Sequence, residues 1–241
     1  MINLFKSFVD FIFPSRCPYC GRPVNTSDTL CPECFHQINF ITAPFCKICG
    51  KPFENQKDIG KDLVCPNCAS QKHLMRFQRS AIIYDDFSKK AILAFKFSDK
   101  THLSNLFAKW LYLAGSDIFE AGVNLIIPVP LSYQRLISRR YNQAALLALS
   151  LSKLTHIKTD VTLLRKIKHT KPQSSLNEKA RLKNIKNAFV VKNPTLIKDK
   201  RIVLIDDVTT TGATVIECAK VLIKAGAKSV DTLTVARTLK R

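Results

Sequence analysis

The chain has 241 residues, 46% of them hydrophobic and 23% charged, enough for one medium domain with a sizeable core and a small additional module. Its formal net charge is +20, from 38 Lys and Arg against 18 Asp and Glu, and it lies mainly in the C-terminal half, which a polyanion would meet first. No apolar run reaches the length of a membrane span, so no stable membrane insertion is expected.

The opening residues 1–16, MINLFKSFVDFIFPSR, place Leu4, Phe5, Phe8, Val9, Phe11, Ile12 and Phe13 close together. Asp10 interrupts the run and no small-residue cleavage site follows, which argues against a secretory signal. A short apolar helix packed on the protein is expected, with a membrane-surface anchor as the weaker alternative.

Eight of the nine cysteines form four C-x-x-C units: Cys17 with Cys20, Cys31 with Cys34, Cys46 with Cys49, and Cys65 with Cys68. Each unit lets two thiolates of one turn reach one ion, and two units complete a closed tetrahedral site of four thiolates. Gaps of ten and fifteen residues suit two successive zinc ribbons over 17–75, with sequential pairing expected over interleaved pairing. Two structural Zn2+ ions are therefore expected. Closed sites leave no position for catalysis, and four disulfides are disfavoured without a secretory context. Cys218 reads as an ordinary core residue.

The globular domain is expected over 76–241, with 76–120 as a linking or hood segment. A short strand begins at Arg79, a helix-like run SKKAILAFKF follows, and Leu103, Leu106, Phe107, Trp110, Leu111 and Leu113 mark a further helix that stops at Gly115. Lys96 and His102 could touch a ligand, but an exposed lysine and a helix-capping histidine are the first reading. Asn124 to Pro130 is a buried strand ended by prolines, which cannot serve in the ladder. After it comes a loop with Arg135, Arg139 and Arg140, running into a long helix. Arginine forks suit bidentate contact with a pyrophosphate, although on their own they read as the first turns of a surface helix.

From Val161 to Arg201 there are twelve Lys or Arg against Glu178 and Asp199. A strand is expected near 162–166, then a polar loop that ends in a short helix over 177–186. Such a basic segment can track nucleic-acid phosphates; a solvated surface, or genome bias toward lysine, is the plain alternative.

Residues 201–217 read RIVLIDDVTTTGATVIE. Ile202, Val203, Leu204 and Ile205 are apolar without alternation, as in a strand buried on both faces of a parallel sheet. Val215, Ile216, Ala219, Leu222 and Ile223 recur at helical spacing, so Thr209 to Ala213 is expected as a tight strand-to-helix turn. Backbone N–H groups at a helix start and the threonine hydroxyls form an anion site. Asp206 and Asp207 would accept hydrogen bonds from sugar hydroxyls or help hold a metal-bound ligand. Together these features describe a phosphorylated-sugar site with Mg2+; a capped strand-turn-helix would account for DD or TTG alone. A strand at 229–236 closes the alternating series, giving an α/β, doubly wound parallel sheet.

This last motif closely resembles the ribose-phosphate loop of the type I phosphoribosyltransferases, which bind phosphoribosyl pyrophosphate (PRPP). On that resemblance Asp206 and Asp207 match the acids at the ribose hydroxyls, and Thr209, Thr210, Thr211, Gly212, Ala213 and Thr214 match the 5′-phosphate loop. VPLSYQRLISRRYNQ resembles the pyrophosphate loop of the ComF/GntX group, close to VP…R…RGFNQ. Arg135, Arg139, Asn142 and Gln143 match, Tyr141 replaces Phe, and Arg140 stands where Gly is usual. Thr170, Gln173, Leu176, Arg181, Asn184, Ala188 and Phe189 match the group's flexible loop, so Lys168, Lys171, Gln173 and Arg181 become candidate lid or DNA contacts.

The resemblance covers essentially the whole chain. It implies a type I phosphoribosyltransferase-like domain behind an N-terminal double zinc ribbon, PRPP bound with Mg2+, and a cytoplasmic role in natural competence handling single-stranded DNA. Two other readings stay open: an active phosphoribosyltransferase of nucleotide metabolism with an unnamed acceptor, and a non-enzymatic zinc-ribbon protein that docks a competence helicase or membrane channel. No catalytic residue is assigned.

Overall fold

The structure is a computed structural model that describes residues 14–53, 59, 61–168 and 185–239. The expected N-terminal helix and the candidate lid residues Lys171, Gln173 and Arg181 lie outside these, as does the expected 177–186 helix except for its last two positions.

Four parallel strands form the main sheet: β1 (Gln78–Ile83), β2 (Leu125–Pro128), β5 (Arg201–Thr209) and β6 (Ser229–Arg237), in the order β1-β6-β5-β2. On β5, Ile202 and Leu204 enter one core and Val203 and Ile205 the other, which is why the strand reads as unbroken apolar sequence. Helices α3 (Asp86–Phe97), α4 (Leu103–Ala114), α5 (Ser116–Glu120) and α7 (Gln143–Thr155) cover the second core. Helix α8 (Ala213–Lys224) covers the first through Val215, Cys218, Ala219 and Leu222. Of the apolar residues expected to bury α4, Leu113 is exposed and the others are buried.

Helix α3 starts on a capping box: Asp85 accepts from the Ser88 N–H while the Ser88 hydroxyl accepts from the Asp85 N–H. Helix α4 stops at Gly115, as expected, whereas His102 makes no side-chain cap. The long helix expected after β2 is two helices, α6 (Tyr133–Arg139) and α7, because Arg140 between them adopts φ 64°. Arg135 and Arg139 therefore stand on a helix one turn apart, not in a loop.

The strand expected near 162–166 also departs from the series. Thr159 already takes the free edge of β2 by a parallel bridge to Ile126, so β3 (Leu164–Lys166) pairs antiparallel with β4 (Phe189–Val191) in a separate two-stranded sheet. From β2 the chain passes through α7 toward Thr159, and from β5 through α8 toward β6, on opposite faces. The crevice between the carboxyl ends of β2 and β5 is thus the topological switch point, where open α/β sheets bind ligands.

The N-terminal module repeats one unit twice. In each, a knuckle turn carries the first cysteine pair, and a short helix, α1 (Pro32–His36) or α2 (Pro66–Ala69), starts on the third cysteine with proline at its first position. The module closes the outer edge of β1. Ile41 N–H donates to the Ala81 carbonyl at 2.9 Å, and Ile83 and Gln78 N–H groups donate to Asn39 and Ile48 carbonyls at 2.8 Å each. Arg79, buried on β1, donates from Nη2 to the Lys47 carbonyl at 2.7 Å and from Nε to Asp117 at 2.9 Å. Among the described residues no helix is long and apolar enough to cross a membrane.

Candidate functional site

Cys17, Cys20, Cys31 and Cys34 form one group and Cys46, Cys49, Cys65 and Cys68 the other, each with its Sγ atoms within 4.8 Å of one another. The expected sequential pairing holds, and none of the cysteines forms a disulfide. Cys20 and Cys31 Sγ atoms are 3.6 Å apart and those of Cys49 and Cys65 are 3.8 Å apart. Four thiolates around one ion at ~2.3 Å would lie roughly 3.8 Å apart, so both groups fit structural zinc. Burial raises the Cys46 thiol, but N–H groups of Cys65, Cys49 and Ile48 outweigh it and bring it down to about 6. The backbone around Cys46 thus favours its thiolate.

The acids lie within β5, which runs four residues beyond the expected apolar run, to Thr209. Thr210, Thr211 and Gly212 make the turn, and Ala213 opens α8. Gly212, at φ 74°, supplies a left-handed N-cap without a side-chain cap. The carboxylates do not cap the helix. Asp206 Oδ1 accepts from the Asp207 N–H at 2.9 Å, and Asp207 Oδ2 lies 3.0 Å from Lys96 Nζ, with both side chains mostly buried. Lys96 is therefore not the exposed lysine expected from sequence; the last turn of α3 carries it across to β5.

Asp206 is pushed up to about 7, first by burial and then by the Asp207 carboxylate, against the Asp207 N–H, Lys96 and Arg139. Arg135 is lowered by burial and by the like charge of Arg139, while Asp207 opposes this. Lys166, on β3, is lowered to about 8 by burial and by Arg135, with Cys218 acting the other way. Two acids thus face three cations, Lys96, Arg135 and Arg139, with Lys166 beside Arg135, an arrangement that accepts an anion on a carboxylate floor. Sequence reading missed Lys166 in this role, since its only signal is a lysine inside a short strand. Lys168, two residues on, is exposed.

The remaining motif residues hold this cluster. Asn142 caps α7 by accepting from Ala144 N–H at 3.1 Å and donates to the Val129 carbonyl at 3.1 Å, fixing the loop to the end of β2. Buried Gln143 accepts from Arg139 Nη1 at 3.2 Å and donates to the Lys96 carbonyl at 3.2 Å. Tyr141 donates to the Phe95 carbonyl at 2.7 Å. Arg139 also lies over the Phe97 ring at 5.0 Å. Asn142 and Gln143 are thus braces that aim the arginine and the lysine.

Residues 8–69 match the double zinc ribbon domain, and residues 143–241 match the phosphoribosyl transferase domain. Competence protein F of Haemophilus influenzae is 34% identical over 235 residues, covering 93% of this chain and 98% of that protein. Competence protein ComFC of Bacillus subtilis is 30% identical, covering 88% and 85%. DNA utilization protein YhgH of Escherichia coli K12 is 29% identical, covering 92% and 90%.

Proposed function

This chain belongs to the ComF family, and from that premise we propose that its C-terminal domain binds PRPP and serves natural competence by handling incoming single-stranded DNA. The observation that carries the PRPP reading is the convergence of Lys96, Arg135 and Arg139 on Asp206 and Asp207 at the switch point, one turn from the Thr210–Gly212 bend. The ribose hydroxyls would donate to the acids, the 5′-phosphate would sit at the start of α8, and the pyrophosphate would meet Arg135 and Arg139. Mg2+ would be held by the carboxylates of Asp206 and Asp207, hard oxygen donors suited to it, and would neutralise pyrophosphate charge.

The names of the relatives direct the purpose toward DNA. The basic stretch from 161 to 201 supports this, since its lysines and arginines could neutralise strand phosphates. Isothermal titration tests the site: PRPP with Mg2+ should bind, and Asp206→Asn with Asp207→Asn should weaken it at least roughly tenfold, a loss of ~1.4 kcal/mol. Unchanged affinity in the double variant would overturn the assignment. Affinity for single-stranded DNA should fall steeply with salt, and a flat response would remove phosphate tracking from the reading.

A further inference from the structure

The turn after β5 borders a second space, lined by none of Asp206, Asp207, Lys96, Arg135 and Arg139. It is a cavity of about 630 Å3, and Thr209, Thr210, Thr211 and Gly212 form one of its walls. The opposite wall is the second zinc ribbon, where Asn67 and Gln71 are exposed.

Strand register makes the floor. Leu204, Thr232 and Gln78 stand side by side on β5, β6 and β1, and so do Asp206, Thr234 and Ser80. On β5 this face is apolar up to Asp206; on β6 and β1 it carries hydroxyls and an amide. Ser80 and Thr234 hydroxyls are hydrogen-bonded at 2.7 Å. Gln78 brings Oε1 to 3.9 Å from where a Cβ on Gly212 would stand. Arg237 enters from the end of β6: Nη1 donates to the Cys49 carbonyl, while its buried Nε has no hydrogen-bond partner among the described residues.

Among the described residues no Asp or Glu lines this cavity, whereas Lys51, His73, Arg79 and Arg237 do, beside Cys49, Cys65 and Cys68 of the second metal group. Its volume lies in the range of small-molecule sites, and side chains that both donate and accept suit a nucleobase edge or a sugar. Because the turn is shared, a phosphate bound there would be bordered by the acid cluster and by this cavity.

We propose that the cavity takes a nucleoside joined through its 3′ oxygen to the phosphate at the turn, so that the whole site reads a phosphodiester as well as a terminal 5′-phosphate. The proposal rests on the turn being a phosphate site and adds the nucleotide on its 5′ side. The second ribbon is then a wall of the binding site and not only a stabilising module.

The test compares the dinucleoside monophosphate UpU with uridine 5′-monophosphate by isothermal titration, beside PRPP. UpU should bind at least roughly tenfold tighter than the mononucleotide. Ser80→Ala with Thr234→Val removes both partners of one buried hydrogen bond, a change that leaves no orphaned group. It should bring UpU to the level of the mononucleotide, with mononucleotide and PRPP affinities and two zinc ions per chain retained. Gln71→Trp, on the exposed ribbon wall, should narrow the cavity and give the same selective loss. UpU no tighter than the mononucleotide, or variants that weaken both alike, would overturn the proposal even where PRPP binds. Tight UpU binding without PRPP binding would instead sink the PRPP reading and leave this one standing.

Discussion

Asp206 is held where its charge is resisted by burial and by Asp207, so its proton is retained up to about 7 instead of leaving near the ordinary 3.8. Between these values the folded chain binds the proton and the unfolded chain does not. Stability therefore declines as pH rises through that window and levels off above 7. Asp206→Asn removes the titration: the variant should be more stable than the native chain by roughly 1–3 kcal/mol at pH 8, and the gain should vanish near pH 4. Urea denaturation at the two pH values measures this, and an equal offset at both would show that the carboxylate is not the cause. The same resistance fits a ligand site, because a metal cation or sugar hydroxyls would supply what the ionised carboxylate lacks.

At the scale of elements, the two knuckles offer a controlled comparison. Gly21 and Gly50 hold equivalent places at φ 77° and 66°, but an added Cβ meets no atom within 4 Å at Gly21 and lies 2.3 Å from the Gln78 carbonyl oxygen at Gly50. Gly21→Ala should cost only the left-handed backbone penalty, about 1 kcal/mol. Gly50→Ala should cost a further 1–3 kcal/mol or so, since the ribbon must move off β1. Thermal unfolding of both variants reads the difference, and equal losses would mean that this ribbon does not lean on the sheet. The elements that sequence disclosed were those set by local pattern. The unbroken apolar run of β5, the stop of α4 at Gly115 and the C-x-x-C spacing each specify their structure within a few residues. What stayed hidden depends on distant partners. Lys96 reaches Asp207 only because α3 folds across the sheet, and β3 is displaced because Thr159 occupies the edge beside β2. The Arg140 break was foreshadowed by the glycine usual at that position, yet it appears in the apolar pattern only as part of one long helix.

For the whole molecule, the ribbons are edge protection as well as metal sites. Chelation should remove two zinc ions per chain and uncover the edge of β1 that residues 39–41 now pair. Metal analysis with gel filtration should then show concentration-dependent association of the stripped chain, and a stripped chain that stays monomeric would show that the edge is closed without metal. The position of β1 also sets an order in time. Its inner edge pairs with β6, and Ser80 bonds to Thr234, 154 residues later in the chain. At ribosomal speeds of roughly 5–20 residues per second, β1 waits on the order of 10–30 s for that partner. All eight ribbon cysteines precede residue 69, so both metal groups can form while the last strand is still unmade. A nascent chain would thus carry its first strand with one side already sealed, and zinc supply during translation would decide how many chains survive to close the other.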